Sequence, residues 1–241
     1  MANSIEISSV GARVRFAFEA TAGTRPTYGY CDIPDVSEAP SQELSLETID
    51  ASNISDYITR YIPGRQDPGG DQSFTLNHTD RVVGFWANFV KDAVSKEASG
   101  KRCWFEYWFP AAKKTYFWAG MPKQLGTSGI AQNELDTIPA HAVLTDWAGW
   151  EDKSGIAADA KYVSITGTGT FTVKVYDYPS GSTITPTSAS TAVATAAAGT
   201  EVTDINGLTY TPITITGVAA GTTTVTVSDG VNSVVIDVTV A

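Results

Sequence analysis

The sequence predicts a mainly β protein in two parts: an aromatic-rich β domain carrying one helix, followed by a small all-β sandwich. Three observations carry this reading. Apolar and polar residues alternate with period two in many short runs, as half-buried strands require. Only one stretch keeps the spacing of a helical face. Composition breaks near residue 151, because all six tryptophans, both cysteines and both histidines precede it, while threonine, alanine, glycine and valine dominate after it. The expected division is 1–150 for the first domain, 151–159 for a polar, small-residue linker and 160–241 for the second.

In the first domain, Val14, Phe16 and Phe18 alternate with Arg13, Arg15 and Ala17 in ARVRFAFE, predicting a strand over 12–19. Leu44, Leu46 and Thr48 repeat the pattern, as do Phe74 and Leu76. Between them, RYIPGRQDPGGDQ (60–72) mixes prolines, glycines and charges, and reads as a long loop or an extended hairpin arm. From Thr79 to about Ser99, Val82, Phe85, Trp86, Phe89, Val90 and Ala93 fall on one helical face. A helix of about 79–98 follows, with Thr79 or Asp80 as its cap and Gly100 at its end. Strands return at CWFEYWF (103–109), YFWAG (116–120) and HAVLTDW (141–147). The second domain is read as strands at 162–165, 170–176, 213–216, 223–227 and 234–240, separated by glycine-bearing turns.

Composition excludes several classes. With 42% hydrophobic residues the chain can bury a core, so wholesale disorder is ruled out. No window approaches the roughly 18 unbroken apolar residues of a membrane helix. Glu6, Arg13 and Arg15 stand where a signal peptide would place its apolar core, so export by the usual route is not expected. Two cysteines, Cys31 and Cys103, make no disulfide framework and read as reduced thiols. The formal net charge of −10 divides into −4 over 156–241 and −6 before it, opposing ordinary nucleic-acid binding.

Chemistry finds little footing. His78 and His141 have no partner at metal-ligand spacing, and no nucleophile, phosphate-loop or zinc signature occurs. Cys103 alternates with Trp104 and reads as a core residue. The acid pairs Glu134 with Asp136 and Glu47 with Asp50 are tied to no cleft. Neither an enzyme, nor a cofactor, nor a metal is expected. The aromatic strands leave two readings open: a dense core, or a face buried against another subunit. In the second, the polar arm supplies the contact residues, with Tyr61, Ile62, Arg65, Asp67 and Gln72 as interface candidates.

The run KRCWFEYWFPAAKKTYFWAGMPKQLGTSGIAQNELDTIPAHAVLTDWAGW resembles the C-terminal half of the major tail tube proteins of long-tailed bacteriophages. STAVATAAAGTEVTDINGLTYTPITITGVAAGTTTVTVSDGVNSVVIDVTV is similar to the bacterial immunoglobulin-like group 2 domain, carried by Ala192–Thr195 and Ile215–Val227, with Gly217 and Gly221 punctuating a tight turn. The first resemblance implies a β-sandwich or barrel whose copies form hexameric rings stacked into a hollow tube that conducts DNA to the host. It implies other tail proteins (tape measure, terminator, tip) as partners, and a virion location after assembly in the host cytoplasm. The second implies a module decorating the outside, with weak cell-surface contact. An acidic lumen would let phosphates pass without sticking, with Glu6, Glu19, Asp32 and Glu47 as the candidate lumen acids. The alternative is a cell-surface binding or adhesin module, which needs an export route.

Overall fold

The computed structural model describes residues 10–43, 45–67, 70–127, 129, 135–178, 181–205 and 207–241. It is mainly β, as expected. The first half contains β1 (Arg13–Phe18), β2 (Tyr30–Asp32), β3 (Val36–Glu38), β4 (Ser45–Asp50), β5 (Tyr61–Asp67), β6 (Asp71–Asn77), α1 (Asp80–Glu97), β7 (Cys103–Trp108), β8 (Lys114–Pro122) and β9 (Thr137–Asp152). The second contains β10 (Ala157–Ala158), β11 (Tyr162–Ile165), β12 (Thr170–Tyr176), β13 (Thr185–Ser188), β14 (Ala194–Ala198), β15 (Val202–Thr203), β16 (Thr209–Gly217), β17 (Gly221–Ser228) and β18 (Ser233–Val240).

The helix forms where its apolar spacing placed it. The Thr79 hydroxyl accepts from the Val82 amide at 3.2 Å, satisfying one of the donors a helix leaves open at its start. Gly100, at φ +70°, lets the chain turn back after the last turn. Its buried face is Val82, Phe85, Trp86, Phe89, Val90 and Ala93.

That face covers the ring-rich strands. Phe105 stacks on Trp118 at 4.2 Å, Phe74 on Trp118 at 5.9 Å, and Phe89 closes on Phe16 at 4.4 Å. On the opposite side, Ala17, Tyr30, Trp104, Phe117, Ala119 and Ala157 form a second buried cluster. The Arg25 guanidinium lies 4.2 Å over the Phe117 ring there. Of the two readings left open for the aromatic strands, the core reading holds for Trp104, Phe105, Phe117 and Trp118, which the chain buries itself, whereas Tyr107 and Tyr116 stay half-buried at one end of the strands.

The linker expectation is corrected. Residues 151–159 are no free tether: β9 runs through Asp152, and Ile156, Ala157 and Ala158 are fully buried. β10 pairs parallel with β2 and antiparallel with β12. One sheet therefore runs β14–β16–β12–β10–β2–β1–β7–β8–β9–β6–β3, with β15 added beside β16. A second sheet, β11–β18–β17–β13, packs against it. One apolar core extends from Phe16 and Trp118 to Val173, Ile213 and Ile236. Across the same junction, Phe85 meets Tyr162 edge-on at 5.7 Å, and the Tyr162 hydroxyl donates to Asp92 at 2.6 Å.

Gly217 closes the turn between β16 and β17 for a steric reason, since a Cβ there would run into the Gly167 carbonyl oxygen. The stretch 196–212 holds most of β14, then β15 and the start of β16.

Candidate functional site

β4 and β5 form a two-stranded sheet of their own. Their register pairs Ile49 with Ile62 and Asp50 with Tyr61, and shifts between Leu46 and Thr48. At that irregularity Gly64 packs closely on Glu47, where a Cβ would lie 3.0 Å from the Glu47 carbonyl oxygen. The tip is held by its own polar groups. The Ser52 amide donates to Asp50 at 2.8 Å, the Asn53 amide to Asp56 at 2.8 Å, and the Arg60 amide to Ser52 at 2.8 Å. Arg60 pairs with Asp56 at 3.3 Å. With its hydrogen bonds satisfied locally, this arm turns apolar residues outward: Ile54 and Tyr57 are fully exposed, Ile58 is 79% exposed, and Ile49, Tyr61 and Ile62 are at least half exposed. A two-stranded hairpin in water is marginal without something to pack on.

The interface candidates separate accordingly. Tyr61 and Ile62 stand exposed on the arm. Arg65 and Asp67 belong to β5, and their side chains lie outside what the structure describes. Gln72 does not belong to that surface: it is buried at the arm's base, where Gln42 donates to it at 2.8 Å.

Two of the lumen acids are corrected. Glu19 is buried and accepts from the Gly23 amide at 2.7 Å, the Arg102 amide at 3.2 Å and the Trp104 indole at 2.9 Å. Asp32 is buried between two guanidiniums, pairing with Arg13 and, at 2.9 Å, with Arg15. Both carboxylates are largely buried, and each satisfies donors that burial would otherwise strand. Glu47 stands exposed on β4, and Glu6 lies outside the described residues.

A buried charged network surrounds Asp32, and nothing in the sequence reading singled it out. Arg15 on β1 sits directly opposite Glu106 on β7. Glu106 is fully buried and accepts from Thr115 at 2.8 Å and from the Ser154 hydroxyl at 2.6 Å. The Trp108 ring carries Arg15 at 4.2 Å and the Lys153 ammonium at 4.0 Å. Lys153 also donates to the Pro110 and Ala112 carbonyls, at 2.9 and 3.2 Å. Burial, with Arg15 nearby, lowers Lys153 to about 8. Burial likewise raises Asp159 to about 6, against the pull of the Lys174 amide. The available signal was the opposed Arg–Glu pair within otherwise apolar strands.

Beside this network lies an open cavity of about 810 Å³ walled by Tyr107, Trp108, Phe109, Tyr116 and Trp150, with Asp35 and Glu38 among its lining residues. Trp150, 59% exposed, packs on Tyr116 at 5.6 Å and on Phe109 at 6.2 Å.

The other sequence candidates stay apart. His78 pairs with Asp136, and His141 with Asp71 at 3.2 Å, all on the surface. Glu134 lies outside the described residues. Among the described residues, no three His, Cys, Asp or Glu side chains converge to hold a metal. Cys31 and Cys103 sit on β2 and β7, on opposite sides of β1, opposite Phe16 and Phe18 respectively. That puts two strand spacings, about 9–10 Å, between their strands, beyond disulfide reach. Both are buried and unbridged; burial pushes Cys31 up to about 12 and raises Cys103 well above an ordinary thiol.

No family model matches the chain, and no curated protein matches it. Among solved structures, domains 4 and 5 of the S-layer protein SbsC align with 23% identity over 53% of this chain and 65% of that one, at a TM-score of 0.29. SbsC domains 1–6 align at 16% identity over 95% of this chain and 35% of that one, also at 0.29. A larger portion of SbsC gives 16% identity, 85% and 29% coverage, and 0.30. The chain thus spans less than two thirds of each of these neighbours.

Proposed function

We propose that this chain is a structural subunit that polymerises with copies of itself, and specifically the tube protein of a long-tailed phage tail. In that role its first half forms rings, hexameric in the family it resembles, which stack into a hollow conduit for DNA. Tape-measure, terminator and tip proteins are its further partners. The immunoglobulin-like half decorates the outer surface and supplies weak contact with a cell surface.

The observation that carries this reading is the β4–β5 arm. Ile49, Ile54, Tyr57, Ile58, Tyr61 and Ile62 all face water on one projecting hairpin. Together they leave on the order of 900 Å² open, close to the ~800 Å² one partner contributes to a standard interface. Six exposed apolar or aromatic residues gathered on one projecting hairpin suit an interaction surface that a partner grips from both sides. Within the arm, Glu47 is the lumen candidate that remains exposed on the described chain.

Negative-stain microscopy of the concentrated protein tests the proposal. Annular particles of uniform diameter, or tubes built from them, support it. A chain that stays dispersed at every concentration, with its arm cut by protease equally fast throughout, contradicts it.

A further inference from the structure

We propose that the ring-walled cavity binds a neutral glycan, with Trp150 as the platform on which one sugar ring stacks. Such a site adds a ligand to the self-assembly proposed above and does not depend on it.

A sugar ring presents an apolar C–H face and a rim of hydroxyls, each both donor and acceptor. It needs an open aromatic face for the first and uncommitted carboxylates or other polar groups for the second. Trp150 meets the first need. It is 59% exposed, yet Phe109 stacks along it at 6.2 Å and Tyr116 meets it edge-on at 5.6 Å. These contacts hold the indole in place and leave much of it open. Glu38 and Asp35 line the same cavity and meet the second need. Glu38 is exposed and makes no ion pair among the described residues, and Asp35 accepts the Thr79 hydroxyl on one oxygen at 3.0 Å. Arg81, also exposed on this wall, adds a guanidinium donor. At about 810 Å³ the cleft is of a size that takes a small ligand.

Charge and ring packing select the class. Two bases, Arg13 and Arg81, stand against four acids, Asp32, Asp35, Glu38 and Asp159, which disfavours phosphate- or sulfate-bearing polymers. A cation is disfavoured because the rings form no open cage. Trp108 already carries Arg15 at 4.2 Å and Lys153 at 4.0 Å, while Tyr107 packs on Tyr116, and Phe109 and Tyr116 on Trp150.

Two other cavities lack this combination. The larger one beside α1, about 1020 Å³, also has rings, Phe85, Tyr162 and Phe171, but none of them is exposed. Phe85 is buried, and Tyr162 packs on it and donates its hydroxyl to Asp92. The one of about 710 Å³ has an exposed Tyr28, but its carboxylates are engaged. Glu19 is buried under three donors, Asp92 takes the Tyr162 hydroxyl, and Asp237 pairs with Lys161 at 3.0 Å.

Tryptophan fluorescence and saturation-transfer NMR on the full chain, with maltotetraose, cellotetraose and chitotetraose, test the site. At least one of the three is expected to bind. Trp150→Ala is expected to weaken that binding about tenfold, the loss of one stacking contact. Glu38→Gln, at an exposed position, leaves every ring in place and is expected to weaken it about threefold by removing a charged acceptor. Trp147→Ala, at a tryptophan outside the cavity lining, is expected to bind as the unaltered chain does. Failure of all three sugars to bind overturns the proposal, as does binding that survives both Trp150→Ala and Glu38→Gln, or a loss shared by Trp147→Ala. Binding of polyphosphate, or of a peptide of residues 50–60, in place of the sugars also overturns it. None of these outcomes bears on arm-driven assembly, which sedimentation reads separately.

Discussion

Ala158 lies beside Cys31 in a parallel strand pair, and both are buried. Ala157 is also opposite Tyr176. Two alanines are thus stitched on one side to the first half and on the other to the second. Small side chains suit the position, because the sheet is covered on both faces there.

A cut at residue 155 therefore removes more than a decoration. It exposes the edge of β2 and strips cover from Phe85 and Tyr30. The fragment 1–155 is expected to be aggregation-prone, and the full chain to unfold in a single calorimetric transition. Two well-separated transitions would contradict the shared core. Ala158→Asp, which buries an unpaired carboxylate, is expected to cost about 3 kcal/mol or more in chemical denaturation.

Asp159 is expected to make stability pH-dependent. Its folded pKa, near 6, lies above the ordinary 3.8, because burial and Asp32 disfavour the charge, against Arg13, Arg81 and the Lys174 amide. Its favourable contribution is complete below pH 3.8 and is lost as pH rises through 6. Asp159→Asn keeps an acceptor for the Lys174 amide, so it is expected to stabilise the protein at pH 7.5 by on the order of 2 kcal/mol and to change little at pH 3.5. Urea unfolding at the two pH values checks the sign; destabilisation at pH 7.5 contradicts it.

Glu106→Ala strands the Thr115 and Ser154 donors and leaves Arg15 facing an empty position. Breaking a buried charged network by deleting one member costs about 3–5 kcal/mol. Phe105→Ala, which opens the stack against Trp118, falls in a similar range through the cavity it leaves. Thermal unfolding of both variants checks the magnitudes.

The elements with strong periodicity were legible in the sequence. All six helix residues expected to be buried are buried, and Thr79 caps the helix. The strands at 162–165 and 170–176 match β11 and β12. Some features could not be read that way. β10 is two alanines long, too short to show a period, so the run containing it looked like a tether. Glu19 and Asp32 looked like surface acids because their partners, Arg102, Trp104, Arg13 and Arg15, reach them through strand pairing or from distant positions. Residues 60–72 read as a long loop or an extended hairpin arm; the hairpin instead joins β4 to β5, residues 71 and 72 begin β6, and the exposure of the apolar residues depends on whether a two-stranded ribbon finds cover on either side. No local pattern encodes that.

Sedimentation velocity of the unaltered chain over a concentration series, beside the Ile54→Asn, Ile58→Asn variant, measures self-association through the arm most directly. The unaltered chain is expected to shift to large, discrete species as concentration rises. The variant, with the same thermal midpoint, is expected to remain monomeric. Monomers from both at every concentration, or identical polymers from both, would contradict a subunit built to join its own copies through this hairpin.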